Sequence, residues 1–176
     1  MSWGKYKQRA NSNSGTGGGK YLRLKGDGDK AKVVVMGAPM ERWAWKDASG
    51  SIQNGTPDAA KAHADHWVSY MVPVYDTEHK IPAILDMSPG LFKDLCSFFE
   101  DFSEERIVLI KRIGLGKNTS WQVNNLSELT DVQKAAIKAE QPYDLREEGC
   151  VPMMVVADKP SAMPPKAAPA DEEVPF

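Results

Sequence analysis

The stretch from residue 106 to residue 123, RIVLIKRIGLGKNTSWQV, constrains the fold of this chain most. It opens with four consecutive strand-forming residues, which is typical of a strand buried on both faces. Lys111 and Arg112 follow, then a glycine-rich turn carrying Lys117, and then a segment with Trp121 that alternates as a return strand does. The window has four basic residues and no acidic one. The sequence therefore predicts a basic hairpin, which is either an ordinary surface hairpin or a surface that binds nucleic acid.

Charge is distributed unevenly along the chain. The net charge is only −2, but residues 1–46 carry a net +7 and residues 47–105 a net −8. The hairpin window is +4, and the segments 124–150 and 151–176 are −3 and −2. Two basic segments in an otherwise acidic chain indicate electrostatic partners better than the overall charge does.

Several classes of protein are disfavoured by the sequence. No apolar run approaches the roughly 20 residues that span a bilayer, and no signal-peptide pattern opens the chain, so we expect a soluble, cytoplasmic protein. Cys96 and Cys150 are far apart, which predicts neither a disulfide framework nor a zinc knuckle. His63 and His66 share a helix face without further metal ligands, so no metal and no cofactor are expected. We find no catalytic constellation, and the glycines before Lys117 lack phosphate-loop spacing; the chain is not expected to be an enzyme.

Residues 1–19 form a basic, aromatic arm that is rich in Gly, Ser and Asn. This composition cannot bury a core and predicts a flexible segment. It is either a plain disordered leader or a mobile arm that touches phosphate or a neighbouring subunit.

Three strands are predicted between residues 20 and 46. YLRLK alternates, with Leu22 and Leu24 on one face; KAKVVVM follows a GDGD turn; and ERWAWK places Trp43 and Trp45 on one face. Burial in the core is the commoner fate of tryptophan, but flanking cations favour the alternative, a platform that stacks bases.

The rest of the chain predicts a sheet with helices. We expect a long loop at 48–65 with a short helix at 57–63, strands at 67–75 and 81–87, and a helix that begins at Ser88 and buries a broad aromatic face. Capping-box spacing predicts a second helix over 130–139, and residues 151–156 an edge strand. From residue 158 the composition is that of an extended linker.

The last six residues carry the sharpest motif. DEEVPF resembles the C-terminal tip of bacterial single-stranded-DNA-binding proteins, in which acidic residues precede an apolar residue, proline and a terminal phenylalanine. The resemblance implies that this tip recruits replication or recombination enzymes, with the phenyl ring in an apolar pocket and the acids steering basic partners. The residues of this partner-binding tip are Asp171, Glu172, Glu173, Val174, Pro175 and Phe176.

The body, over roughly residues 20–125, is similar to the phage-type single-stranded-DNA-binding (helix-destabilising) proteins. KYLRLKGDGDKAKVVVMG, ERWAWK, WVSYMVPVYD and the 106–123 hairpin look like their oligonucleotide/oligosaccharide-binding (OB) barrel. The chain lacks the Cys/His set of the members with a zinc ribbon and so resembles the zinc-free ones. The implied fold is mainly β: an OB-fold-like antiparallel barrel with one packed helix between strands, a short C-terminal helix and disordered termini. Three regions are expected: the arm 1–19, the binding domain 20–157, and the linker and tip 158–176.

The implied function is sequence-independent binding of single-stranded DNA in replication, recombination or repair, in a bacterium or a phage-infected cell. Homo-oligomers occur in such families. The expected phosphate-binding cations are Arg23, Lys25, Lys32, Arg42, Lys46, Lys111, Arg112 and Lys117, together with Lys20 and Lys30. The expected base-stacking residues are Trp43, Trp45 and Trp121, then Tyr21, Tyr70 and Tyr75. An RNA-binding, cold-shock-like OB module and a protein-binding OB adaptor are the alternatives.

Overall fold

The computed structural model describes residues 20–153. The predicted arm 1–19 and the whole of the predicted linker and acidic tip, 158–176, therefore lie outside the described residues. In chain order the strands are β1 (Tyr21–Leu22), β2 (Lys30–Val35), β3 (Met40–Lys46), β4 (Ile52–Gly55), β5 (Trp67–Asp76), β6 (Ile81–Met87), β7 (Arg106–Ile113), β8 (Ser120–Glu128) and β9 (Val151–Pro152). The α-helices are α1 (Pro57–Lys61), α2 (Pro89–Asp101) and α3 (Asp131–Lys138), and short 3₁₀ turns cover Gly116–Asn118 and Leu145–Glu148.

The strands form one mixed sheet with the order β1-β6-β5-β2-β7-β8, and β3 pairs with β4, β5 and β9. The mainly β class, the helix between strands and the short C-terminal helix are confirmed. The sheet is not closed into a barrel, however, and no pairing among the described residues joins β6 to β8. Two features explain the opening: β1 pairs in parallel with β6 at Ile84 and Leu85, and α2 contacts both β6 and β8.

β2 and β3 act as one long strand with an interruption. Both pair antiparallel with the same edge of the ten-residue β5: Val35 lies opposite Val74, and Met40 lies opposite Met71. From Val35 to Met40 the chain advances by five residues, whereas the paired part of β5, from Val74 to Met71, advances by only three. The interruption therefore inserts two extra residues into this strand, as a β-bulge inserts one. Because an even number is added, odd-numbered residues stay on the same face in β2 and β3.

The inner face of the sheet holds the main core. Val33, Val72, Val74, Leu85 and Ile110 are buried there against α2, whose Leu91, Leu95 and Phe98 supply the helical side of the core. Phe92, Phe98 and Phe99 thus belong to the core or its margin, as their spacing predicts, whereas Phe102, expected on the same buried face, is 38% exposed where α2 ends. Alternation along β2 and β7 places Lys30, Lys32 and Lys111 on the opposite, outer face.

A second, smaller core lies on the outer face of β5 and β6. Leu145 and Cys150 pack there on Met71 and Ile84, so the segment 143–150 covers this part of the sheet. The segment then adds β9 to β3, with Val151 opposite Glu41. The predicted strand at 151–156 is present at its start, but the covering segment has no periodic pattern and was not predicted.

The 48–65 region is more ordered than the predicted loop. Asp47 accepts hydrogen bonds from the backbone N–H groups of Ser49 and Ser51, which shapes the turn of a hairpin, and β4 then pairs with β3. The predicted short helix is α1, and Thr56 caps its N-terminus. No helix among residues 20–153 is long and apolar enough to cross a membrane.

The start of α2 offers a test of the fold. Ser88 Oγ accepts a hydrogen bond from Leu91 N at 3.3 Å. We expect Ser88→Ala to lower the free energy of unfolding by about 1 kcal/mol, because an N–H of the first turn loses its partner. Ser97→Ala, at an exposed position inside the same helix, should leave stability equal or slightly higher, since alanine favours helix. Urea denaturation measures both; an equal loss in the two variants would contradict the capping role.

Candidate nucleic-acid interface

Arg112 organises the turns at one end of the sheet. Its Nη1 donates to Leu24 O at 2.9 Å, its Nη2 to Thr119 Oγ1 at 2.9 Å and its Nε to Gly114 O at 3.3 Å. Its guanidinium lies 5.7 Å from the ring centroid of Trp121, the residue opposite it on β8. Arg112 was predicted to bind phosphate; three of its five N–H donors instead join the turn before β2 to the turn after β7.

The turn after β7 requires glycine at one position. Gly114 has φ +80°, and a Cβ there would lie 2.4 Å from Asn118 O. Its N–H donates to Asp27 Oδ1 at 2.7 Å, which ties this turn to the turn before β2. Lys117 is exposed in the 3₁₀ turn that follows, and Lys25 is exposed in the neighbouring turn.

Lys30, Lys32 and Lys111 form a lysine patch on the outer face. Lys30 lies directly opposite Lys111, and Lys32 is two residues along the same strand. The carbonyl of Lys32 accepts a hydrogen bond from Thr77 N, so it points towards β5 and away from β7. Backbone N–H and C=O groups alternate in direction along a strand, so those of Lys30, two residues earlier, also point away from β7. Lys30 and Lys111 are therefore a non-hydrogen-bonded pair, with Cα atoms about 4.5 Å apart, in which side chains come closest.

The patch has no acidic counterpart within the described structure. None of its three lysines, nor Lys25 or Lys117, has a carboxylate within 4.0 Å among residues 20–153. Like charges directly opposite each other in a sheet are destabilising. A concentration of unpaired cations at this end of the molecule is the electrostatic condition for binding a polyanion.

Trp43 and Trp45 lie on the opposite face, at the far end of the long strand. His66 stacks on Trp43 with ring centroids 6.1 Å apart and His63 on Trp45 at 4.9 Å, the second pair nearly parallel at 7°. Lys61 Nζ lies 5.3 Å from the Trp43 centroid, and Glu41 accepts from Trp43 Nε1 at 2.8 Å. We call these two indoles with their two imidazoles the tryptophan–histidine stack.

The charged residues around the tryptophan–histidine stack are not the ones that the sequence predicts. Arg42 and Lys46, expected beside the indoles, alternate with them and so lie on the other face of β3. Arg42 is half-buried, and its Nε has no hydrogen-bond partner among residues 20–153. The cation near Trp43 is Lys61, from α1. Gly55 on β4 permits the arrangement, because a Cβ there would approach the Trp45 ring to 3.0 Å.

The tyrosines predicted to stack bases are in contact with protein groups. Tyr21 donates its hydroxyl to Glu148, and burial together with this carboxylate raises the pKa of Tyr21 to about 12. Tyr70 stacks on Phe92 at 4.1 Å beside the main core, and burial raises its pKa. Burial and then Glu140 raise the pKa of Tyr75.

The remaining predicted site residues are ion-paired, half-buried or outside the described residues. Arg23 is ion-paired with Asp86 at 3.0 Å, and Lys20 with Glu148. Trp121 is half-buried against the core next to Arg112. The tip residues 171–176 lie outside the described residues. No group of three or more His, Cys, Asp or Glu side chains in the described part of the chain could hold a metal ion.

Sequence reasoning missed Lys61, His63 and His66 as neighbours of the tryptophans. Both histidines follow the end of α1, so only their closeness in the sequence could have indicated that they act together. Comparisons with protein-family models, with curated proteins and with solved structures gave no match.

The Gly114 turn generates a prediction. Gly114→Ala should lower the free energy of unfolding by more than the roughly 1–2 kcal/mol of a left-handed residue, because the new methyl also meets the Asn118 carbonyl. Gly116→Ala is the matched control: φ is +58° but a Cβ there meets nothing within 4 Å, so only the conformational term applies. Thermal and urea unfolding measure the difference. Equal losses would contradict the close approach.

Proposed function

We propose that this chain binds single-stranded DNA without sequence preference and that the lysine patch is its phosphate-binding surface. The observation that carries the proposal is the Lys30–Lys111 pair: two like charges opposite each other, with no acid within 4.0 Å among the described residues. Such a pair lowers stability by about 0.2–1 kcal/mol, and bound phosphates would relieve the repulsion. The exposed Lys25 and Lys117 extend the basic surface beyond the strands.

The order of the strands supports an OB-type fold for this function. The long strand β2–β3, then β5 and β6, the helix α2, and finally β7 and β8 correspond in sequence to five strands with one intervening helix. OB folds are partly open five-stranded barrels that bind oligonucleotides with strands 2 and 3 and with the loops 1–2 and 4–5. Strands 2 and 3 correspond to β5 and β6, whose outer face Leu145 and Cys150 cover, and the lysine patch lies on strands 1 and 4, so the correspondence supports the loops alone. In this correspondence loop 4–5 is the Gly114–Thr119 turn with Lys117, and loop 1–2 carries Lys61, His63 and His66.

The tryptophan–histidine stack is the proposed base-binding platform. Stacking on an aromatic ring contributes about 1–3 kcal/mol per base and tolerates every base, which suits binding without sequence preference. In the free protein imidazole rings occupy faces of both indoles. A base stacks on Trp45 only when His63 withdraws, and the exposed position of His63 allows this.

The acidic tip completes the proposal. Residues 171–176 dock replication or recombination enzymes, and the chain itself acts by binding, not catalysis, in the cytoplasm of a bacterial or phage-infected cell. The same surface would also suit single-stranded RNA, and an OB-type adaptor would bind protein instead. Titrations of fluorescent dT and rU oligomers, with and without residues 171–176, separate these functions. Tighter binding of rU favours the RNA-binding module, and no binding of either oligomer at low salt favours the adaptor.

Removal of the like-charge pair should move stability and affinity in opposite directions. In Lys30→Gln/Lys111→Gln we expect the free energy of unfolding to rise at low salt, because the repulsion is gone. Affinity for a dT oligomer should fall, and the slope of log K against log salt should flatten by about 1.4, since each lost phosphate contact on a single strand contributes about 0.7.

Lys93→Gln/Lys138→Gln is the matched control. These lysines are exposed, and neither has an acid within 4.0 Å in the described part of the chain, so the net charge changes equally. The control should keep nearly the wild-type affinity and slope. Equal losses in both double variants would show that only net charge matters, and no loss in the Lys30/Lys111 variant would exclude the patch.

The histidines give an independent prediction for the platform. His63→Ala/His66→Ala should strengthen binding of a dT oligomer severalfold and increase the quenching of tryptophan fluorescence, because bases no longer compete with imidazole rings. His79→Ala, whose ring instead contacts Asp76 at 2.8 Å, should leave binding unchanged. Weaker binding in the His63/His66 variant would mean that the imidazoles hold the DNA themselves and would refute the displacement.

A further inference from the structure

An apolar pocket opens between α2 and the inner face of the sheet, away from the lysine patch. Its volume is about 310 Å³, and Val72, Met87, Phe92, Leu95 and Phe99 line it. A pocket of this size and lining accepts one aromatic side chain. It lies beside the interruption between β2 and β3, since Val35 and Pro39 also contribute to its wall.

The rim of the pocket is acidic. Glu100 and Glu104 line it, and neither carboxylate lies within 4.0 Å of a cation among residues 20–153. The occupant that fits this chemistry is therefore an aromatic residue next to basic ones. An acidic peptide is disfavoured, because its carboxylates would meet those of the rim.

Two segments of this chain outside the described residues carry an aromatic residue in a charged setting, and they have opposite charge. The tip places Phe176 after three acids, whereas the arm places Trp3 and Tyr6 among Lys5, Lys7 and Arg9, with no acid within residues 1–19. The acidic rim selects between them. The arm is the electrostatic complement of the pocket, and the tip is not.

The arm is also tethered close to the pocket. The described chain begins beside β6, where Tyr21 pairs with Ile84, and Met87 of the pocket is three residues further along that strand, about 10 Å away. The eleven steps between consecutive Cα atoms from Arg9 to Lys20 have a root-mean-square span of about 17–20 Å in a Gly- and Ser-rich chain. This reach exceeds the distance, which leaves length for the arm to turn back, because the parallel pairing directs the chain before Tyr21 towards Ile81 and away from Met87.

We propose that the pocket beneath α2 is the intramolecular docking site for the N-terminal arm. Trp3 or Tyr6 fills the apolar pocket, and the basic residues at positions 5, 7 and 9 neutralise Glu100 and Glu104. The site is distinct from the lysine patch and from the tryptophan–histidine stack, and the proposal does not depend on DNA binding.

Cys96 provides a direct readout, because its exposed thiol also lines the pocket. We expect iodoacetamide to alkylate Cys96 at least threefold faster in full-length Trp3→Ala/Tyr6→Ala than in the unmodified chain, followed by peptide mass spectrometry. In the unmodified chain, 0.5 M NaCl should raise the rate towards that of the variant, since salt screens the contacts with the acidic rim. The buried Cys150 reports that the fold stays intact.

Three controls make the test decisive. In a Glu100→Gln/Glu104→Gln background, the Trp3/Tyr6 substitutions should change the alkylation rate of Cys96 by less than 1.5-fold, because the acidic rim no longer attracts the arm to the pocket. Phe176→Ala should leave the rate unchanged, and a faster rate would assign the pocket to the tip instead. Equal alkylation rates of Cys96 with and without Trp3 and Tyr6 would overturn the proposal. It would also be overturned if the protection of Cys96 disappeared on dilution, because the protecting arm would then belong to a second copy of the chain.

Discussion

The pairing of β5 with the interrupted strand β2–β3 is the constraint on which the rest of the structure depends. One edge of β5 supports both β2 and β3, so the even insertion between Val35 and Met40 decides which side chains share a face along the whole length of the molecule. An odd insertion would turn Trp43 and Trp45 to the face of the lysines. As it stands, hydrophobic alternation places Val33 in the core, Lys30 and Lys32 on the outer surface, and both indoles on the inner side.

This separation means that the two parts of the candidate site do not adjoin. The lysine patch lies at the start of the long strand and the tryptophan–histidine stack near its end, thirteen residues later; two of these are the inserted residues, so the separation along the strand is about 36 Å. A strand of nucleic acid that touched both would have to pass around an edge of the sheet. The outer face of β5 and β6 is not an open path, because Leu145 and Cys150 cover it. The lysine patch therefore carries the proposal, and the stack is a second, separable contact.

Local patterns predicted most of the fold, and the failures are non-local. Strand alternation, the Ser88 cap of α2, the capping box at Thr130 and the glycine-rich turn are encoded within a few residues, and all are present. The failures involve residues more than fifty positions apart, which no local pattern specifies. They are the parallel pairing of Tyr21 with Ile84, the covering of Met71 by Leu145, and the sheet that stays open instead of closing into a barrel. For the site, composition indicated which cations and aromatic residues to consider, but not which face of its strand each one occupies. It could not show that Arg112 donates to Leu24 O or that imidazoles cover the tryptophans.

The uneven distribution of charge makes the proposed binding of a polyanion compatible with a net charge of −2. Acidic side chains collect near the end of α2, where Glu100 and Glu104 edge an apolar pocket, whereas lysines without acidic partners in the described structure collect at the turns before β2 and after β7. If both proposals hold, the basic, aromatic arm is attracted by both regions: by phosphates bound at the patch and by the carboxylates of the pocket. While the arm occupies the pocket, its cations are withheld from phosphate. Under the same two proposals, bound polyanion would draw the arm away from the pocket, and salt should weaken both contacts together, because both depend on the charge of the arm.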